Sequence, residues 1–428
     1  MTINSNNLTF TDDTNEITNE TIFVSNPLNQ KYIEVAKEKN PKDIIDCSEL
    51  SQYFDFNSIK IVGITGTNGK TTTAAAIYSF LLDLGYKVAL LGTRGFFINE
   101  SKQEDYTFTT PMQIDMFNKI SEAINNGCEY FITEVSSHAI HQNRICGVDF
   151  ELKVHTNITS DHLDYHGTLE EYIRVKNSFF QDDCKKLINR DDKKIKINMK
   201  NAFSYGLDSP STYKVQAFSF KEGTSIVLQN VAKMVTFNSD LRGTFNVYNL
   251  TAAVASVDLI TNNSLEEITQ IVENFAGVSG RMETLSHEPY IIVDFAHTHD
   301  GMKAVMESFK DKQIIVVFGA GGDRDRTKRP LMGQIAQNLA KHIFITSDNP
   351  RFEDPDQIVN DILKGIEQVD EVVVELNRKK AILHAIDFSK TIPNSVVLIL
   401  GKGDEEYQII YDQKVPFSDK KIVLDYLG

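Results

Sequence analysis

Thr65-Gly66-Thr67-Asn68-Gly69-Lys70-Thr71-Thr72 lies between an apolar run (Ile59, Ile61, Val62, Ile64) and a stretch, Thr71 to Leu84, that holds no Gly or Pro before Gly85. The run reads as a short buried strand and the stretch as a helix stopped by Gly85. The octapeptide is therefore a turn facing a helix N-terminus. Backbone N–H groups freed by Gly66 and Gly69 can wrap an anion, and the helix dipole favours negative charge there. Lys70 is placed to reach the outer phosphates of a nucleotide and the Thr71 hydroxyl to meet Mg²⁺. The general phosphate-loop pattern wants a Gly where this chain has Ile64. On that pattern alone an ordinary strand-to-helix turn stays open, and the flanking strand and helix weigh against it.

Composition sets the outer limits. A chain of 428 residues carries two or three domains, each long enough to bury a core. The formal charge of −15 argues against a nucleic-acid partner, which needs a surplus of Lys and Arg on its contact face. Cys47, Cys128, Cys146 and Cys184 lie far apart with no Cys-x-x-Cys pair, which suits a reducing compartment and argues against a structural zinc. No apolar stretch of about 18 residues and no basic-then-apolar leader is present, so a cytoplasmic protein without membrane attachment is expected.

Residues 1–59 read as a small module, with an apolar patch at Thr21 to Val24 and a helix from Gln30 to Lys39. From 60 to 280 strand and helix signals alternate: a strand at Tyr130 to Val135, helices at Leu169 to Phe180 and Phe245 to Ile260. Such alternation implies a parallel sheet with covered faces. Between Leu187 and Arg242, β-branched and aromatic residues with Gly and Ser turns predict short antiparallel strands. A second alternating series fills 281–428, with strands at Ile291 to Phe295, Ile314 to Phe318, Ile343 to Ile345, Val372 to Val374 and Val396 to Leu400. Ligands of open α/β sheets bind beyond the carboxyl ends of strands. The polar clusters Asp294 to Asp300, Gly319 to Arg329, Asp348 to Arg351 and Gly401 to Glu406 follow those ends.

Read in order, these segments resemble one family, the Mur ligases. The marks are the turn itself, Thr109-Thr110-Pro111, Glu134-Val-Ser-Ser-His138, and Asn157 followed by Asp161-His-Leu-Asp-Tyr-His-Gly167. Further on come Tyr172-x-x-x-Lys176, Asn246-x-x-Asn249, Gly280-Arg-Met-Glu283, Asp294-Phe-Ala-His-Thr298, Gly321-Gly-Asp-Arg-Asp325, Lys328-Arg-Pro330, Asp348-Asn-Pro-Arg351 and Gly401-Lys-Gly403. The resemblance implies an α/β fold of three domains: a small N-terminal α/β module that binds a UDP-sugar, a central P-loop ATPase domain with a parallel sheet, and a C-terminal Rossmann-like domain that binds the incoming amino acid.

The implied reaction is ATP-dependent amide formation through an acyl phosphate, and every step concentrates negative charge that cations and N–H donors must meet. By the family's pattern ATP is held by Gly66 to Thr72, Asn249, Arg281, Asp294 and His297. Asn246 and Asn249, three apart, share one helix face. Mg²⁺ falls to Thr71, Glu134, His162 and Lys176. The resemblance makes Lys176 a carbamylated lysine and, with Lys70 and His162, part of the catalytic set. Such a lysine must first be neutral, which needs burial or nearby cations. Thr109, Thr110, Ser136, Gln142 and Arg144 match positions that hold a UDP-muramoyl dipeptide. The planar fork of Arg144 suits an anionic oxygen pair.

The arginine ending Asp348-Asn349-Pro350-Arg351 resembles members that add meso-diaminopimelate. Arg351 and Arg329 would bind its far carboxylate, and Glu405 with the Gly401 backbone its ammonium. Three positions depart from the family pattern: Asp12-Asp-Thr14 stands for Asp-Ser-Arg, His299 for Pro, and Asp404 for the His after Gly401-Lys-Gly403. The Asp-Glu-Glu run leaves Glu405 and Glu406 as alternatives for the ammonium. A lysine-adding relative is disfavoured by Arg351, and a folylpolyglutamate synthetase by the Asp-Asn-Pro-Arg and Thr-Thr-Pro motifs. An ATP-dependent switch would need neither Lys176 nor a diacid pocket. A monomer is expected.

Overall fold

A computed structural model describes residues 1–428 except 107, 222, 232 and 369–371. Three sheets and a hairpin organise the chain. Residues 2–46 form a four-stranded sheet in chain order: Thr2–Ser5, Leu8–Thr11, Thr21–Ser25 and Asp43–Asp46. Phe10, Ile22, Val24 and Ile45 are too few to close a core alone. They pack with Leu50 onto Ile114 and Phe117 of the helix Gln113–Asn125. Gln113 fastens the contact, its Nε2 donating to the carbonyls of Cys47 (2.8 Å) and Cys146 (2.7 Å). The helix expected from Gln30 is a 3₁₀ turn, Gln30–Tyr32, leading into Ile33–Glu38.

The central sheet has eleven strands. Lys185–Asn189, Leu152–His155, Lys60–Thr65, Tyr130–Glu134 and Val88–Gly92 run parallel at its middle. Helix Lys70–Asp83 and helix Thr244–Ile260 cover one face, and the second is buried nearly all round because Ala252, Ala253 and Ala255 let it sit close. The expectation of antiparallel strands from Leu187 to Arg242 holds only for its last part. Lys185–Asn189, Ala202–Gly206 and Tyr213–Ser219 extend the sheet in parallel, and Thr224–Asn230 and Lys233–Ser239 return antiparallel. The segment from Arg190 to Asn201 is long enough to carry the chain back to the start of the next parallel strand.

The C-terminal sheet is ordered Glu283–His287, Tyr290–Asp294, Ser395–Leu400, Gln313–Phe318, His342–Ile345, Val372–Val374, and only its first strand is antiparallel. Ser395–Leu400 inserts between the first two parallel strands, so the chain switches direction there and opens a crevice at the carboxyl edge. Between the two large sheets the linker makes a tight turn, with Gly280 at φ +69° and Met282 at +50°. A Cβ at Gly280 would lie 2.1 Å from the amide nitrogen of Asp404, so only glycine fits.

Candidate active site

The phosphate turn is wired to the segment after Leu152–His155. Thr67 N donates to the Asn157 carbonyl (2.7 Å), Asn68 N to Asn157 Oδ1 (3.0 Å), and Asn157 Nδ2 and Thr156 Oγ1 both donate to the Asn68 carbonyl. Gly69 enters the helix at φ +85°, and a Cβ there would sit 2.4 Å from Asn249 Oδ1. Two expected ATP residues, Gly69 and Asn249, are thus in contact.

Thr71 and Glu134 also meet. The Thr71 hydroxyl donates to Glu134 Oε2 (2.9 Å), and Thr93, which the sequence did not single out, donates its N–H to Glu134 Oε1 (2.9 Å). The carboxylate is buried and held at the carboxyl edge of the sheet. Lys70 folds back onto the carbonyls of Gly66 (2.8 Å) and Thr67 (2.9 Å). Lys176 is 1 % exposed, with its Nζ 3.0 Å from the Gly66 carbonyl and 3.3 Å from Thr65 Oγ1. Burial first, then repulsion from Lys70, pushes its pKa well below the ordinary lysine value. The Lys176 amine is thereby predisposed to the neutral form.

His162 stands at φ +54° with its ring 45 % exposed beside Asp161 (3.5 Å), and burial of its surroundings holds its pKa down to about 4. Burial raises Asp161, but His162, His297 and Lys328 together pull it down to about 2. A charge from the central domain therefore feels Lys328 across the domain junction. No group of three or more His, Cys, Asp or Glu side chains fit to hold a metal occurs among the described residues. Mg²⁺ in nucleotide sites takes one or two protein ligands and completes its shell with phosphate oxygens and water. The buried Glu134–Thr71 pair fits such a cation.

Behind the turn lies a cavity of about 630 Å³ between the central and C-terminal domains. Asn68, Asn249, Arg281, Asp294 and His297 line it, so the expected nucleotide residues converge. Arg281 lies over the Phe295 ring at 4.2 Å. Asp294 accepts from the amides of Met282 (2.7 Å) and Ala296 (2.7 Å), fixing the wall rather than offering a free carboxylate.

On the other side of Glu134, Thr110 Oγ1 donates to its carbonyl (2.9 Å) and accepts from Ser136 N (3.0 Å). Thr109 meets Thr93 (3.2 Å). Arg144 is held by Gln142 Oε1 (2.8 Å) and the Thr110 carbonyl (2.8 Å), neutral partners that leave its charge uncompensated. Gln142 and Arg144 border a groove of about 510 Å³ whose far wall is Asp12, Asp13, Asn26, Asn29 and Tyr32 of the N-terminal module. The sequence yielded no contact from that module, because polar loop residues carry no pattern until the sheet folds them together.

The amine pocket differs from expectation at Arg329. Its guanidinium is fully buried and bound to Glu353 (2.9 and 3.0 Å), Asp361 (3.0 Å) and the Gly321 carbonyl. Arg329 was expected to face the substrate, but it stands behind the wall, because a buried cation is stable only when paired. Arg351 stands at φ +52°, with Nη1 on the Gly322 carbonyl (2.8 Å). Its backbone pairs with the hairpin Tyr407–Ile410 and Gln413–Pro416, an element absent from the sequence reading. Asn349 accepts from Lys402 (3.1 Å) and Ile409 N (2.9 Å) and donates to Glu405 (3.0 Å). Asp348 lies against Gly401, where a Cβ would come 2.7 Å from its Oδ2. Pro350 forms the back of the segment beside Glu406, which lines an outer groove, whereas Glu405 faces Asn349. The geometry separates the two glutamates.

The Mur ligase middle domain matches residues 64–257, and the Mur ligase glutamate ligase domain matches 280–403. A Wolinella succinogenes protein is 50 % identical over 417 residues, covering 97 % of this chain and 95 % of its own length. A Helicobacter pylori protein is 51 % identical over 426 residues, covering 97 % and 94 %. Both are named UDP-N-acetylmuramoyl-L-alanyl-D-glutamate–2,6-diaminopimelate ligase. The chain belongs to the Mur ligase family. A solved ligase of the same name superposes on this Mur ligase with TM-score 0.69 at 28 % identity, over 97 % of this chain and 93 % of that one. Mycobacterium tuberculosis folylpolyglutamate synthase, complexed with ADP and AMPPCP, reaches TM-score 0.66 at 18 % identity over 81 % and 89 %, a likeness of fold alone. The near full-length match to the Wolinella protein means that the short first module is common to both chains.

Proposed function

We propose that this Mur ligase joins meso-diaminopimelate to the D-glutamate carboxylate of UDP-N-acetylmuramoyl-L-alanyl-D-glutamate, with ATP converted to ADP and phosphate. The observation that carries the reading is a cavity lined by both large domains behind the phosphate turn, together with Arg351 and Glu405 on neighbouring loops of the C-terminal domain, a cation and an anion suited to a zwitterion. The names of the relatives at half identity agree with it.

The turn amides and Lys70 would bind the phosphates, with Lys70 exchanging backbone carbonyls for phosphate oxygens. Mg²⁺ held by Thr71 and Glu134 would neutralise phosphate charge. Lys176 is suited to carbamylation: its neutral amine adds to CO₂, forming a C–N bond and releasing a proton, and the side chain changes from cationic to anionic. Arg144 and Gln142 would hold the anionic part of the UDP-sugar, and Thr110 and Ser136 the peptide. Arg351 would take the distal carboxylate and Glu405 the ammonium, a pairing that lysine cannot complete. Arg351 is half-buried, and leaving it without its carboxylate partner would disfavour lysine. The protein would act as a cytoplasmic monomer. Among the described residues no helix is long and apolar enough to cross a membrane.

Phosphate release from ATP, measured with the UDP-muramoyl dipeptide and either meso-diaminopimelate, lysine or no amine, tests the reading. Release and a lengthened peptide with diaminopimelate alone are expected. Equal rates with lysine would remove the role of Arg351, and no product with any amine would end the proposal.

A further inference from the structure

Only one ion pair within 4 Å joins the central and C-terminal domains among the described residues: Arg94 Nε to Asp404 Oδ2, 3.9 Å. We propose that Arg94 and Asp404 are positioning residues that register the amine pocket over the phosphate turn. The proposal rests on the ligase reading above.

Each partner sits where a small displacement would matter. Arg94 follows Thr93 in the turn between Val88–Gly92 and Gly95–Ile98. Thr93 holds both oxygens of Glu134, which in turn accepts from Thr71 at the start of the phosphate-binding helix. Asp404 follows Gly401-Lys402-Gly403, the loop in which Lys402 and Glu405 bond to each other (2.6 Å) and to Asn349. A continuous set of contacts therefore runs from Thr71 through Glu134, Thr93 and Arg94 to Asp404, Glu405 and Asn349.

The other end of this loop is fixed by the linker. Gly403 and Asp404 abut Gly280, and Lys420 ties the linker by bonding Glu283 (2.6 Å), whose other oxygen accepts from Gly280 N (2.7 Å). The pair and this turn hold the Gly401–Glu405 loop at two points, one on the central domain and one on the linker, and two points fix the position of the loop over the phosphate turn better than one. The chemistry makes that position important: the activated substrate carboxylate reacts with the bound amine or, if the amine is displaced, with water. Attack by water cleaves the carbonyl–oxygen bond to phosphate and returns the free acid, so ADP forms without amide.

The pair is about one-third exposed on each side, 34 % and 35 %. Its rupture should cost about two- to five-fold in kcat/KM for the amine, the range of exposed ion pairs. Arg94→Met and Asp404→Asn are each expected to show that loss, an unchanged KM for ATP, and more than one ADP per amide. The double swap, Arg94→Asp with Asp404→Arg, should return the ADP-to-amide ratio to one. Singles indistinguishable from the parent, or a swap worse than either single, would overturn the proposal. So would a lowered melting temperature with the ratio still at one, which marks a merely structural contact. Parent enzyme that makes no amide from diaminopimelate would fail the ligase reading instead, since that result is obtained before any variant is compared.

Discussion

The phosphate turn and the amine pocket treat charge in opposite ways. Around the turn, Lys70 rests on backbone carbonyls, neutral partners that a phosphate oxygen can replace. In the pocket nearly every charge already has its opposite: Arg329 with Glu353 and Asp361, Lys402 with Glu405. Arg351 and its neighbour Arg324 are the exceptions, bonded through their guanidinium groups, among the described residues, to carbonyl oxygens alone. The first site is built for a polyanion and the second for a ligand whose own charges nearly cancel.

The largest test of that contrast is Lys176→Ala. Removing the group that would become anionic should lower ligation by about 10³-fold or more, the scale of losing a preorganised charge at a reacting centre. Nucleotide binding should be largely kept, and small carboxylates or bicarbonate should influence the rate. Full activity in a steady-state assay of this variant would remove the carbamate. Next is Arg329→Met, which empties the buried centre of the cluster and leaves Glu353 to the exposed Arg326 and Asp361 to the exposed Lys364. It should lower unfolding stability by about 1–3 kcal/mol in urea titration, the cost of leaving buried acceptors without one of their donors. A loss confined to the KM for diaminopimelate, with stability intact, would return Arg329 to the substrate. Arg351→Met should raise the KM for diaminopimelate about 10- to 100-fold, the worth of charge-assisted hydrogen bonds, and leave that for ATP nearly unchanged. Equal effects on both would erase the distinction between the two sites.

The smallest effect concerns protons. Burial holds His155 and His166 each at about 4, below the ordinary 6.5. The unfolded chain therefore binds protons that the native protein refuses between those values. Their contribution is present above about pH 6.5 and is lost as pH falls towards about 4, by at most about 1.4 kcal/mol per unit for each group. Thermal melts at pH 7, 6 and 5 should show the decline. A His166→Asn variant should flatten it, and an unchanged slope would exclude that histidine.

The sequence revealed most where the cause is local. A strand, a glycine-bearing turn and a helix start are neighbours in the chain, so Lys60–Thr65 and Lys70–Asp83 could be read before folding, as could the C-terminal strands from Tyr290–Asp294 to Ser395–Leu400, whereas Val88–Gly92 and Leu152–His155 were not. Strand direction beyond Lys185 could not, because alternation has the same period in parallel and antiparallel pairs. Arg329 was misjudged because its partners Glu353 and Asp361 lie 24 and 32 residues away. The hairpin Tyr407–Pro416 escaped for a similar reason: it is mostly exposed and gains its place by backbone pairing with Arg351. Thr93 carries no motif, and only folding brings its amide to Glu134.

The contact between Gly69 and Asn249 has a consequence for inhibitors. A purine-like compound that displaces the Asn249 carboxamide to gain room would free the space against which the glycine turn is packed. Filling the base pocket more tightly and retaining grip on an attached phosphate mimic would then pull against each other. Scaffolds that leave this amide where it stands are the better starting points.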